Sequence, residues 1–215
     1  MLAGHSFGGP ITRFFAATHP KLVAGLALID PAGDDQRRRL AEAAPSYGAT
    51  SNFDPAIAGR KCVALIEKDP IPEGTADYKS CMGDWPPADI PPELKAAVVR
   101  ERGASFQRAQ LAEAEGLKAG GSVAQEGGAV RRSLGDIPLI VLTRGLRSAP
   151  PDVSPSEKEA YIGVWQRMHW EDAGLSTHGR RRFVEGATHY VQRDKPEAVI
   201  TAVKEVVAEA RSRGR

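Results

Sequence analysis

Long hydrophobic runs are missing from this sequence. None approaches the roughly 20 apolar residues that a helix needs to cross a bilayer, so no transmembrane segment is expected. Charge of one sign is missing too. Lys and Arg number 29 against 27 Asp and Glu, a formal net charge of +2. The basic residues are scattered except at Arg37-Arg38-Arg39 and Arg180-Arg181-Arg182. Each triplet lies at the edge of an expected element and reads as a solvated face, so no nucleic-acid partner is expected. No internal repeat and no signal peptide is visible. Nothing in the sequence points to a cofactor or a metal. Cysteine is scarce: Cys62 and Cys81 are the only two, so at most one internal bridge can form. The most telling shortage is at the front. Three residues, Met1-Leu2-Ala3, precede Gly4-His5-Ser6-Phe7-Gly8-Gly9.

Gly-x-Ser-x-Gly is the pattern of a nucleophile elbow, a tight strand-to-helix turn that lifts a serine hydroxyl above a sheet edge. Its glycines are expected where a strained turn meets a closely packed helix. Met1-Leu2-Ala3 can supply only the end of the incoming strand. The residues after Gly9 fit the pattern. Pro10 suits a first helical turn, and Ile11, Phe14 and Phe15 recur at helical spacing as far as His19-Pro20. Val23 to Ile29 is then an apolar run ending at Asp30-Pro31, which reads as a buried parallel strand. A bare glycine-rich turn, with Ser6 merely capping the helix, is the plainer alternative.

With 41% hydrophobic residues, the 215-residue chain can bury one sizeable core and carry an insertion. Residues 1–33 and 135–215 read as alternating strands and helices around a parallel sheet. The strands are expected to end at Ile29, at Gly145 after Leu139-Ile140-Val141-Leu142-Thr143-Arg144, and at Val184. Helices are expected over Ser154 to Gly174, with Tyr161, Val164, Trp165 and Met168 on one face, and from Lys195-Pro196 onward. Residues 34–134 break the rhythm and read as an irregular cap or lid, with one convincing helix from Pro92 to Leu117 and a loose glycine-rich loop over Gly116 to Gly128. Trp85 and Phe106 read as that insertion's own small core, or as the lining of a pocket.

Cys62 and Cys81 flank a turn-rich stretch around Pro70 and Pro72. A bridge would close a loop of about twenty residues and stabilise it by about 3 kcal/mol. That would imply an oxidising location, periplasmic or extracellular. Two free thiols would imply a cytoplasmic one. The bridge is the favoured reading.

A serine needs a base to remove its proton, and the base needs an acid to hold its tautomer. His189 follows one expected strand end and precedes the last helix, so it is the candidate base, with His178 behind it. His5 is expected to point into the core or sheet. His19 closes a helix end, and His169 reads as packing or solvated.

The motifs Gly4 to Gly9, Leu26 to Pro31, Ile137 to Gly145 and Ala187 to Gln192 together resemble the α/β-hydrolase superfamily over essentially the whole chain. Asp30-Pro31-Ala32-Gly33-Asp34-Asp35-Gln36 followed by a two-cysteine insertion is similar to exported bacterial members. The resemblance implies the C-terminal part of an α/β-hydrolase fold, a parallel sheet flanked by helices with an inserted, mostly helical cap. It implies cleavage of a small-molecule carboxylic ester by Ser6, with His189 as base and the Phe7 backbone N–H in the oxyanion hole. The acid is placed first at Asp30, then at Asp152, with Asp34 and Asp35 behind. Aspartate-nucleophile chemistry, as in dehalogenases and epoxide hydrolases of the superfamily, is disfavoured by Ser6. A second oxyanion donor and the strands flanking the elbow belong to a segment ahead of Met1. The chain is therefore expected to begin at an internal methionine and, alone, to be inactive or weakly active. An inactive remnant or a binding module of the same fold is the alternative.

Overall fold

Four short apolar runs pair side by side as parallel strands. They are β1 (Leu2–His5), β2 (Leu26–Ile29), β3 (Leu139–Arg144) and β4 (Gly179–Val184). The computed structural model describes residues 1–50, 55–83, 90–118, 133–146, 149 and 153–214. Among these residues the sheet runs in the order β1-β2-β3-β4, every neighbouring pair parallel. Parallel neighbours need crossovers, and helices supply them.

Alternation sorts the strand side chains onto two apolar faces. Leu26, Leu28, Leu139 and Val141 join Ala16 and Ala173 on one face. Ile29, Ile140 and Leu142 join Ala202 and Val206 on the other. The first face is covered by α1 (Gly8–Thr18) and by the helix Pro155–Ala173, the second by the helix Pro196–Ser212. Both faces are buried, so the central strands are apolar throughout rather than alternating. Leu26, Leu28 and Leu139 are fully enclosed, and each contributes about 1.5–3 kcal/mol of burial.

The chain divides into two compact units, Met1–Ser51 with Ser122–Arg215, and Asn52–Gly121. The first holds the sheet. It also takes in α2 (Gln36–Ala43) and α3 (Pro45–Thr50), two helices that fall within the expected insertion. The second unit contains α4 (Pro55–Lys68), α5 (Ala76–Met82), α6 (Pro92–Glu101) and α7 (Ala104–Lys118). It is helical, as the resemblance implies, although the residue pattern alone marks only the stretch from Pro92 to Leu117. α4 and α7 pack closely because Gly59 has no side chain: a Cβ there would lie 3.2 Å from Leu111 Cδ1 and 3.5 Å from its Cα. The single helix expected over Pro92 to Leu117 is two helices, parted at Arg102-Gly103. Glycine is a poor helix former, and the Gly103 N–H turns back to the Arg100 carbonyl. Cys62 and Cys81 form a disulfide that ties α4 to α5.

Among the described residues, the later α-helices of the first unit are α8 (Pro155–Ala173), α9 (Val191–Asp194) and α10 (Pro196–Ser212). α8 starts with a capping box: Ser154 accepts from the Glu157 N–H, and Glu157 accepts from the Ser154 N–H. Such a box satisfies two N–H groups that the first helical turn leaves open. Within the arginine triplets, four of the six residues pair with carboxylates, and Arg38 binds Asp35 and Glu42. Arg39 binds Glu171, Arg180 binds Glu209 and Arg182 binds Glu205. None of the described helices is long and apolar enough to cross a membrane.

Candidate functional site

Ser6 and Asp30 each follow the last residue of a strand, on neighbouring strands β1 and β2. Both take left-handed backbone, φ 52° and φ 40°, which costs a residue with a side chain on the order of 1–3 kcal/mol. Main-chain bonds hold them there. The Ser6 N–H donates to the Ile29 carbonyl at 3.1 Å. The Ser6 carbonyl accepts from Gly9 at 3.0 Å and from Ala32 at 2.9 Å. The Asp30 N–H donates to the Leu142 carbonyl at 2.8 Å.

Close approach explains two of the motif's glycines but not the third. A Cβ on Gly4 would lie 2.3 Å from the Gly8 carbonyl oxygen, and one on Gly9 would lie 2.4 Å from Pro31 Cβ. A Cβ on Gly8 would meet nothing within 4 Å. The tight contact that the sequence pattern assigns to Gly8 belongs to Gly9, because α1 meets the Asp30-Pro31 turn one residue later.

His189 lies in the loop between β4 and α9. Its Nε2 is 2.9 Å from Ser6 Oγ and its Nδ1 is 2.6 Å from Asp30 Oδ2. A carboxylate only accepts, so Nδ1 carries the proton and Nε2 turns its lone pair to the serine hydroxyl. The three side chains form one directed chain from a buried acid to a reachable hydroxyl. Asp30 is fully buried, while the His189 side chain is 30% exposed. Phe7 is the N-cap residue of α1. Among the described residues nothing accepts from its backbone N–H, which stands at the positive end of that helix.

Asp30 receives four hydrogen bonds. Oδ1 accepts from the Arg144 N–H and from Trp165 Nε1, both at 3.1 Å. Oδ2 accepts from the Arg144 guanidinium at 3.2 Å as well as from His189. Burial alone would raise this carboxyl's pKa. The His189 bond and the Arg144 charge outweigh it and hold the group below its ordinary range. The Arg144 guanidinium in turn stacks over the Trp165 ring, 4.3 Å from its centre.

Behind Asp30 sits His169, completely enclosed. Its Nε2 donates to the Pro31 carbonyl at 2.9 Å, so Nδ1 is left to accept from the Thr143 hydroxyl at 2.8 Å. Thr143 Oγ1 then accepts from Arg181 Nε at 2.9 Å. Burial lowers the His169 pKa to about 4, against the opposing pull of Asp30. This imidazole is a neutral support.

Of the histidines, His189 alone lies within reach of Ser6 and Asp30 together. His178 binds Glu209 at 2.9 Å, and His19 stacks on Phe15. His5 does not enter the core: it is half-buried, and its Nε2 is 2.8 Å from the His189 carbonyl oxygen. Among the other acids, Asp34 pairs with Arg13 at 2.7 Å and Asp35 with Arg38 at 3.2 Å. Asp152, Trp85 and most of the Gly116 to Gly128 stretch lie outside the described residues. Phe106 lies in α7 under the Arg102 guanidinium. Sequence reasoning misses Arg144, Trp165 and His169 as site residues. Their only signal there is positional: Arg144 ends a strand, and His169 follows Trp165 by four residues on a helix. Among the described residues, no cluster of three or more His, Cys, Asp or Glu could hold a metal ion.

No protein-family model and no curated protein sequence matches this chain. Solved structures do. MenH from Staphylococcus aureus matches over 98% of this chain and 68% of its own, at 13% identity and a TM-score of 0.52. A proposed lipase from Acinetobacter baumannii matches over 98% and 61%, at 16% identity and a TM-score of 0.55. NosK from Streptomyces actuosus matches over 98% and 69%, at 21% identity and a TM-score of 0.50. At such identities the likeness is one of fold. This chain has part of an α/β-hydrolase fold and spans about two thirds of the length of the structures it resembles.

Proposed function

We propose that this chain carries the reacting residues of a serine hydrolase that cleaves carboxylic esters. One observation supports this most: Ser6 Oγ, the His189 imidazole and the enclosed Asp30 carboxylate lie in one hydrogen-bonded line. Ser6 Oγ attacks the ester carbonyl as its proton passes to His189 Nε2. Asp30 keeps the ring in the tautomer that can take that proton and stabilises the imidazolium that forms. The Phe7 N–H and the α1 dipole face the oxyanion. His189 returns the proton to the leaving alcohol, and an acyl-Ser6 ester remains. Water, deprotonated by the same imidazole, then releases the acid and restores Ser6.

The insertion 34–134, which takes in α2 to α7, is read as the cap of this enzyme. An exported, oxidising location is supported by the Cys62–Cys81 disulfide. The similarity to a proposed lipase fits an ester substrate.

The experiment is a short-chain p-nitrophenyl ester mixed with the protein as its source makes it. Nitrophenol release is expected to show a burst of about one equivalent. Ser6→Ala is expected to remove both burst and turnover. Turnover that persists in Ser6→Ala would overturn the proposal.

A further inference from the structure

His5 is the first of the two variable positions of the glycine–serine motif, and the hydrolytic mechanism gives it nothing to do. Its surroundings do. Nε2 lies 2.8 Å from the main-chain carbonyl oxygen of His189. A carbonyl only accepts, so Nε2 carries the proton and donates. The two imidazoles also touch, with ring centres 4.6 Å apart and planes tilted by 42°. The Tyr190 ring lies 5.7 Å from that of His5. His5 closes β1 and pairs in register with Ile29, one residue ahead of Asp30. It therefore stands on the rigid sheet, while its bond reaches the loop that carries the base.

That loop is tied on its other side as well. The Thr188 N–H donates to Asp194 Oδ2 at 2.7 Å, and the Thr188 hydroxyl donates to the same oxygen. Asp194 lies in α9, close in sequence to the loop, so this tie fixes the loop's own shape. His5 is different, being 184 residues away. It ties the loop to the strand that presents Ser6.

We infer that His5 is a positioning residue: by donating to the His189 carbonyl, it holds the base in register with Ser6 and Asp30. This rests on the hydrolase reading for its catalytic consequence, but not for its structural one. Neither His5 nitrogen touches the reacting atoms. A neutral His5 suffices, since only Nε2–H is used. Burial lowers its pKa and favours that form, against the upward pull of its bond to the His189 carbonyl.

The test separates the donor from the ring. His5→Gln can place an amide N–H where Nε2–H stands, while His5→Phe keeps a ring and loses the donor. In ester hydrolysis His5→Phe is expected to lower kcat about five- to tenfold, the worth of one hydrogen bond, with KM little changed. His5→Gln is expected to recover most of that loss. Equal rates for His5→Phe and wild type would overturn the inference, as would a His5→Gln variant no faster than His5→Phe. A second readout needs no turnover: the hydrogen-exchange rate of the His189 Nδ1 proton, followed in histidine-labelled protein by nitrogen NMR. That proton is expected to exchange several-fold faster in His5→Phe than in wild type or His5→Gln. If Ser6→Ala leaves turnover unchanged, or wild type turns nothing over, the hydrolase reading has failed and this exchange rate decides the inference alone. Identical exchange in all three proteins would refute it.

Discussion

Asp30→Asn keeps the shape of the buried acid and removes its charge. Asp30 accepts on both oxygens: from the Arg144 N–H and Trp165 Nε1 on one, from the Arg144 guanidinium and His189 Nδ1 on the other. An amide has one accepting oxygen. Wherever its NH₂ points, it faces two donors. If the NH₂ faces His189, Nδ1 must become the acceptor. Nε2 then carries the proton and cannot take one from Ser6. A tautomer fixed the wrong way lowers kcat by about 10⁴ where such an acid has been replaced by its amide in other serine hydrolases. If the NH₂ faces the other way, Trp165 and the Arg144 N–H lose their partner instead. The first orientation leaves the Arg144 guanidinium bond unmade, the second the bonds from Trp165 and the Arg144 N–H. At about 1–3 kcal/mol for each unsatisfied buried group, the fold is expected to lose about 3 kcal/mol. Burst amplitude with an ester reports the first effect, and urea unfolding of the same protein reports the second. A variant retaining a tenth or more of wild-type kcat, with an unfolding free energy changed by less than about 0.5 kcal/mol, the scale of a surface substitution, would refute the assigned role of Asp30.

The same contacts carry other consequences. Gly4→Ala and Gly9→Ala force a Cβ to 2.3 Å from the Gly8 oxygen and 2.4 Å from Pro31 Cβ. Both are expected to lower Tm by several degrees, whereas Gly8→Ala, with open space around it, is expected to leave Tm nearly unchanged. His169 titrates at about 4 when folded and at 6.5 when unfolded. The unfolded chain therefore binds more protons between those values, and stability falls as pH drops from 6.5 towards 4. Urea unfolding in a pH series should show that slope, and His169→Gln should flatten it. Glu157, held at about 2 by its bonds to Ser46 and Ser154, loses its contribution as pH falls from 4.5 through that value, so Glu157→Gln and wild type should converge in stability near pH 2. Cys62→Ser with Cys81→Ser removes a bridge spanning 19 residues, at a cost of about 3 kcal/mol. Limited proteolysis should then cut within residues 52–121 before it cuts the sheet.

Strand ends are the legible part of this chain. Ile29-Asp30-Pro31 and Thr143-Arg144-Gly145 mark themselves, because buried parallel strands are apolar on both faces and stop abruptly at polar or turn residues. The loops after such ends gather at one edge of the sheet, which is why Ser6, Asp30 and His189 can be named together and why the structure finds them adjacent. The choice between Asp30 and Asp34 is less visible. It turns on Arg13, which packs from α1 and takes Asp34. The supporting side chains are hidden for a related reason. Trp165 and His169 reach Asp30 and Pro31 from a helix 135 to 138 residues away in sequence, and no local pattern records that meeting. The helices over residues 36–82 are obscured by composition. QRRRLAEA in α2 buries only Leu40, too little for an apolar stripe to stand out. Gly8 misleads for the opposite reason: the motif's spacing is memorable, but the steric need falls on its neighbour.

Covalent capture of Ser6 is the most direct measurement. The protein is treated with a fluorophosphonate, digested, and its peptides are weighed. The account predicts one adduct, on Ser6, lost in Ser6→Ala and formed far more slowly when His189 is replaced by alanine. An adduct that survives Ser6→Ala, or a folded protein in which Ser6 stays unmodified, would contradict it.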